Sequence, residues 1–167
     1  HLLAPLFKEL VGCDKKYRLV TTLPNGAYLQ SVVEAFNNNG ISAHHVNIGS
    51  VPSGRVADVL RTVKAVMNMA KLESFSNNWV EAWAARLPLL VTDAAWAKAS
   101  CGEAAIYVDI DNPSVSAKTI HSSLSSHKAV HDLIESGSKM LSELPSAERR
   151  VGQYFEIIKS CDKEIKS

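Results

Sequence analysis

The sequence predicts an α/β domain: a mostly parallel sheet with helices on both faces, followed by a helical tail. Three observations carry this expectation. Helix-like and strand-like segments alternate as far as Ile110, and beyond it the pattern is helical throughout; such alternation is the mark of a layered α/β domain. The run "LPLLVTD" (Leu87–Asp93) shows no apolar–polar alternation, as expected of a strand covered on both faces. Neither a repeat nor a linker interrupts the series, so residues 1–125 read as one domain and residues 126–167 as helices packed on it.

Each element follows from its pattern. Apolar residues recurring at i, i+3, i+4 and i+7 predict helices at Leu3/Leu6/Phe7/Leu10, Leu29/Val32/Val33/Phe36, Val56/Val59/Leu60/Val63, Val80/Trp83/Ala84/Leu87 and Val151/Tyr154/Phe155/Ile158. A looser helix is expected over Lys128–Leu144, and a shorter one over Pro113–Leu124, with its proline in the first turn. Strands are expected at Tyr17–Leu23, His45–Ile48, Ala65–Met69, Leu89–Thr92 and Ile106–Val108, with a short helix between the last two. "PNG" at Pro24–Gly26, "NNNG" at Asn37–Gly40 and "GSVPSG" at Gly49–Gly54 supply the turns.

Composition narrows the function. Of 167 residues, 46% are apolar and 21% charged, the balance of a soluble globular domain. A net charge of +1 gives no long-range attraction for nucleic acid or an acidic membrane surface. Apolar runs are too short to span a bilayer, and the opening "HLLAPLFKEL" is amphipathic, unlike a signal peptide. Cys13, Cys101 and Cys161 are odd in number and far apart, which points to free thiols in a reducing compartment. The chain opens on His1 rather than Met, which suggests a piece of something longer.

The stretch "LESFSNNWVEAWAARLPLLVTD" (Leu72–Asp93) holds the candidate site. Ligands of open parallel sheets bind beyond the carboxyl ends of the strands, and Glu73 follows the expected strand Ala65–Met69 by four residues. A helix is expected to begin near Ser76–Asn78, where free N–H groups and the helix dipole favour an anion such as phosphate. Glu81 lies about one turn further on. It would repel a phosphate beside it but could accept hydrogen bonds from a diol. A plainer reading also stands: Asn78-Trp-Val-Glu81 has capping-box spacing, and Glu73 could be a solvated loop carboxylate.

The segment "ESFSNNWVEAWAARLPLLVTD" resembles the signature of retaining glycosyltransferases of the GT-B fold, of the group 1 or family 4 type. The likeness continues in order through "YRLVTTLP" (Tyr17–Pro24), "VNIGSVPSGRVADVL" (Val46–Leu60) and "CGEAAIYVDIDNP" (Cys101–Pro113). It implies the C-terminal, donor-binding half of such an enzyme, a Rossmann-like doubly wound sheet whose first strand is missing. The resemblance places Glu73 on the hydroxyls of the donor sugar as the catalytic-site carboxylate. The N–H groups around Phe75, Ser76, Asn77 and Asn78 would lie on the diphosphate, Glu81 on the ribose diol and Val51 near the base. It implies a nucleotide-diphosphate sugar as substrate, with no cofactor and no metal. A bacterial polysaccharide or glycolipid pathway would be its setting. The location would be cytoplasmic, with the full-length enzyme at the periphery of the inner membrane.

The family's Arg and Lys on the diphosphate align just upstream of "HLLAPLFKEL", and the acceptor domain is absent as well. The chain alone is therefore expected not to transfer sugar. The missing strand would leave exposed edges that invite self-association. The alternatives are a non-catalytic nucleotide-sugar-binding or partner-dependent module of the same fold, or a GT-B sugar epimerase.

Other residues offer less. His127 and His131 have the spacing of a metal pair but no third ligand, and His44 and His45 point to opposite faces of a strand. Trp83 reads as core. Trp79 and Trp96 stand as candidates for sugar contact, and Lys71 reads as a solvated loop lysine. No nucleophile elbow, Walker loop or dinucleotide fingerprint is present.

Overall fold

A computed structural model describes residues 3–73, 75–145, 149, 151–152 and 154–156. The chain runs through α1 (Leu3–Cys13), β1 (Leu19–Thr21), α2 (Ala27–Asn38), β2 (His45–Asn47), α3 (Val56–Leu60), β3 (Val66–Asn68) and α4 (Asn77–Ala84). It continues through β4 (Leu89–Thr92), α5 (Ala95–Cys101), β5 (Ile106–Val108), α6 (Pro113–Ser125) and α7 (His127–Glu143). Short 3-10 turns at Ser42–His44 and Ser53–Arg55 lead into β2 and α3. Of the expected helix around Val151–Ile158, the described residues are helical and Val151, Tyr154 and Phe155 are exposed; Ile158 lies outside the described residues.

All strand pairs are parallel, but they form two sheets: β1 with β2, and β3-β4-β5 in that order. A single sheet was the expectation; the chain instead forms a two-stranded and a three-stranded sheet. Strands β1 and β3 each pair on one edge only.

Side chains of β4 point into two cores. Leu90 joins Ile106 and Val108 of β5 in a cluster with Leu6, Phe7 and Leu10 of α1, Phe36 of α2 and Ile120 of α6. Leu19 of β1 enters that same cluster, so both sheets share it. Leu89 and Val91 face the other way, against Trp79, Ala82 and Trp83 of α4 and Ala97 and Cys101 of α5. This two-sided burial is why "LPLLVTD" shows no alternation. The other face of the β1–β2 pair is uncovered: the register partners Val20 and Val46, and then Ile48, are exposed.

Several boundaries differ from the sequence reading, for local reasons. Only the middle of Tyr17–Leu23 is strand. Tyr17 donates its N–H to the Asp14 carbonyl in a turn, and the Asn47 side chain replaces the ladder at Leu23, accepting from its N–H and donating to its carbonyl, both at 3.0 Å. The helix expected over Val56–Val63 stops at Leu60 and buries no side chain fully. The apolar stripe of α4 is Trp79/Ala82/Trp83 rather than Val80/Trp83/Ala84/Leu87, because the helix ends before Leu87. Its last turn closes with Arg86 N–H to Trp83 O and Leu87 N–H to Ala82 O, and Arg86 takes φ 56°. That is a Schellman closure with arginine in the left-handed position. From there Arg86 reaches Glu135 on α7 at 2.7 Å.

Helix α7 lies across α4, and Gly137 is the point of closest approach. A Cβ there would sit 2.5 Å from the Trp83 ring. The ring cannot easily retreat, because its Nε1–H donates to the Ala104 carbonyl at 3.2 Å. Gly137→Ala is therefore expected to destabilise the chain by about 1–3 kcal/mol, despite alanine's better helix propensity, as read by urea unfolding.

His45 packs against the Phe36 ring at 5.1 Å, and its Nε2 lies 2.9 Å from Thr21 Oγ1. Burial holds its imidazole below its ordinary value of 6.5, so the folded state favours the neutral ring. The stability this confers is fully present above the unfolded value and is lost as pH falls below it. Thermal melts should show a drop between pH 7 and 5 that is smaller in His45→Phe.

Candidate functional site

Asn68 closes β3 beside Val91 of β4, and everything in the candidate site starts from its side chain. Its Oδ1 accepts the Ala70 N–H at 3.1 Å, turning the chain out of the strand. Its Nδ2 donates to Glu73 Oε2 at 2.8 Å and to Ser76 Oγ at 2.9 Å. A backbone N–H can only donate, so the contact with Ala70 identifies the oxygen and leaves both amide hydrogens for Glu73 and Ser76. Across the strand end, Thr92 Oγ1 donates to the Ala70 carbonyl at 2.8 Å.

Glu73 is half-buried in the loop between β3 and α4, and Ser74 lies outside the described residues. Ser76 is the N-cap residue of α4 and is only 5% exposed. Its carbonyl accepts the Trp79 N–H at 3.1 Å, but its hydroxyl makes no capping bond to the helix. Asn77 and Asn78 are the first two helical residues and are exposed. Their N–H groups have no partner within a helix and receive none from the cap.

With Ser76 as cap, Glu81 is the fifth residue of the helix rather than the third. The capping-box reading of Asn78–Glu81 therefore does not hold: the box needs the acid at the third position. Among the described residues the Glu81 carboxylate accepts no hydrogen bond and forms no ion pair, and neither Glu73 nor Lys71 forms an ion pair. The electrostatics of the helix start are thus those of open amides and the positive end of the dipole, with the Glu73 side chain held beside them.

The aromatic residues form a stack behind this start. Trp79 is fully buried, 6.1 Å from and nearly parallel to Trp96, with Phe75 edge-on at 5.5 Å. Trp79 is core, so it offers no sugar platform, and one face of Trp96 is already taken by Trp79. Phe75 is 43% exposed at the mouth of the loop. The Trp79 Nε1–H is buried without a partner.

The structure thus brings Glu73 and Ser76 into one hydrogen-bonded unit and sets Phe75, Asn77, Asn78 and Glu81 along the same helix start. Val51 is half-buried in the loop after β2, which belongs to the other sheet, and takes no part in that unit. Asn68 is the residue sequence reasoning missed. Its signal was an asparagine, poor in strands, at the end of "AVMNM".

Elsewhere, Cys13 is exposed and Cys101 buried, both as free thiols; Cys161 lies outside the described residues. Burial pushes the Cys101 thiol up to about 11, which makes it a packing residue. Among the described residues no group of three or more His, Cys, Asp or Glu could hold a metal ion. No helix among them is long and apolar enough to cross a membrane. His127 and His131 sit at the exposed start of α7. No protein-family model matches the chain, and a search of curated proteins finds no match.

Because Glu81 caps nothing, Glu81→Ala is expected to leave the unfolding free energy unchanged to within about 0.5 kcal/mol, as measured by denaturant titration. A loss of one kcal/mol or more, of the order of a removed cap, would restore the capping role.

Proposed function

We propose that this chain is the donor-binding part of a retaining glycosyltransferase, a doubly wound GT-B half that takes a nucleotide-diphosphate sugar. The observation that carries the reading is the open amino end of α4 with Glu73 held beside it at the end of β3. Two exposed amides and a helix dipole suit a diphosphate. Glu73 then takes the sugar hydroxyls and is the carboxylate nearest the reacting carbon. Glu81, further along the helix and without an internal partner, takes the ribose diol. Phe75, Ser76, Asn77 and Asn78 line the diphosphate, and Val51 approaches the base from the β2 loop.

The division into two parallel sheets supports the same reading, since the resemblance leaves out a strand of a single sheet. It also favours a partner-dependent form of the activity. The unpaired edges of β1 and β3 are suited to another strand or a second copy of the chain, and the acceptor domain and the diphosphate-neutralising cations come from elsewhere. Catalysis needs both substrates held together, so residues 1–167 alone bind donor without transferring sugar.

Calorimetric titration with UDP and GDP tests this. One of them is expected to bind in the micromolar to millimolar range, and Glu81→Ala is expected to weaken it by about 1–2 kcal/mol, the worth of hydrogen bonds to a charged group. Binding of neither nucleotide, or equal binding by wild type and variant, would overturn the assignment.

A further inference from the structure

Serine at an N-cap ordinarily turns its hydroxyl onto the amide of the second or third helical residue. Ser126 does so at the start of α7, accepting the Ala129 N–H at 3.2 Å. Ser76 has the extended backbone of a cap, φ −109° and ψ 135°, yet makes no such bond. Its hydroxyl instead accepts from Asn68. The same amide group holds one oxygen of Glu73, and the Asn68 carbonyl is pinned by Ala70. One side chain on a strand end therefore controls both the carboxylate and the cap.

We infer that Asn68 is a positioning residue of this site: it fixes Glu73 against β3 and draws the Ser76 hydroxyl off α4, leaving the Asn77 and Asn78 amides open to an anionic ligand. The inference rests on the proposed donor-binding role for its ligand, but the geometric part stands on the contacts alone. Aspartate in this place would have no hydrogen to donate and would face Glu73 with a like charge. An apolar residue would release Ser76 to cap the helix. The helix start pays a stability cost to remain uncapped, which is what a ligand-ready site looks like.

The test is hydrogen exchange at the Asn78 amide, followed by NMR on the whole chain, together with UDP and GDP titration. In Asn68→Ala the Ser76 hydroxyl is free to cap, so Asn78 exchange is expected to slow on the order of five-fold, while affinity for the nucleotide that binds falls. Adding Ser76→Ala to Asn68→Ala removes the competing hydroxyl and is expected to restore part of that affinity. A merely structural role predicts the reverse on both counts: faster exchange as the helix frays, and a second substitution that weakens binding further. Either result overturns the inference. Asn68→Val, which suits a strand and donates nothing, replaces the alanine variant if that one does not fold. Should wild type bind neither nucleotide, the donor-binding reading fails, whereas the exchange rates still decide whether Asn68 keeps the helix open.

Discussion

Four residues, Leu89–Thr92, set the frame on which the rest of the chain hangs. Leu90 faces one core and Leu89 and Val91 the other, so β4 is stable only with a helical layer on each side. Each of these side chains contributes roughly 1.5–3 kcal/mol when removed from water, and one layer alone would leave part of the set exposed. Helices α1, α2 and α6 answer on one side and α4 and α5 on the other. Strand β3 is then placed by its register with β4, and the carboxyl end of β3 is where the candidate site begins.

The position of α4 follows from the same constraint. Trp79, Ala82 and Trp83 bury against Leu89 and Val91, and Gly137 lets α7 close over Trp83. With its apolar face pinned, α4 directs its amino end toward Asn68. The short loop between them brings Glu73 and Ser76 within reach of one amide side chain. Core packing thus determines a polar geometry: the tryptophans fix the helix, the helix fixes its cap residue, and the strand end decides what that cap does. A rigid element on each side of a short loop is how a site is held to a fraction of an ångström.

The division of the sheet is the second large feature. Strands β1 and β3 share a core through α1 but no hydrogen bonds. Backbone groups on the two unpaired edges have water or another strand as their alternatives, and a free edge is a template for pairing. Val20, Val46 and Ile48 leave one face of the β1–β2 pair exposed, and the five-residue α3 buries no side chain fully.

The sequence by itself determined the order and type of the elements, the buried stripe of α1 and the two-sided burial of β4. Those properties live in local periodicity: Leu3/Leu6/Phe7/Leu10 can form only one apolar stripe, and "LLVT" flanked by Pro88 and Asp93 is too short for a helix and too apolar for an exposed strand. The start of α4 near Ser76 was legible for the same reason. Other features depended on contacts between residues far apart in the chain. The Asn47 side chain cut the first strand short at Leu23, and Trp79 proved to be core because Trp96 and Leu89 converge on it. Glu81 lost its capping role because Ser76, not Asn78, begins the helix. The link from Asn68 to Glu73 and Ser76 lies within eight residues, yet no spacing rule announces it. Whether a cap serine turns to its helix or to a strand end depends on where β4 and the tryptophan stack hold that helix, and only the tertiary structure decides that.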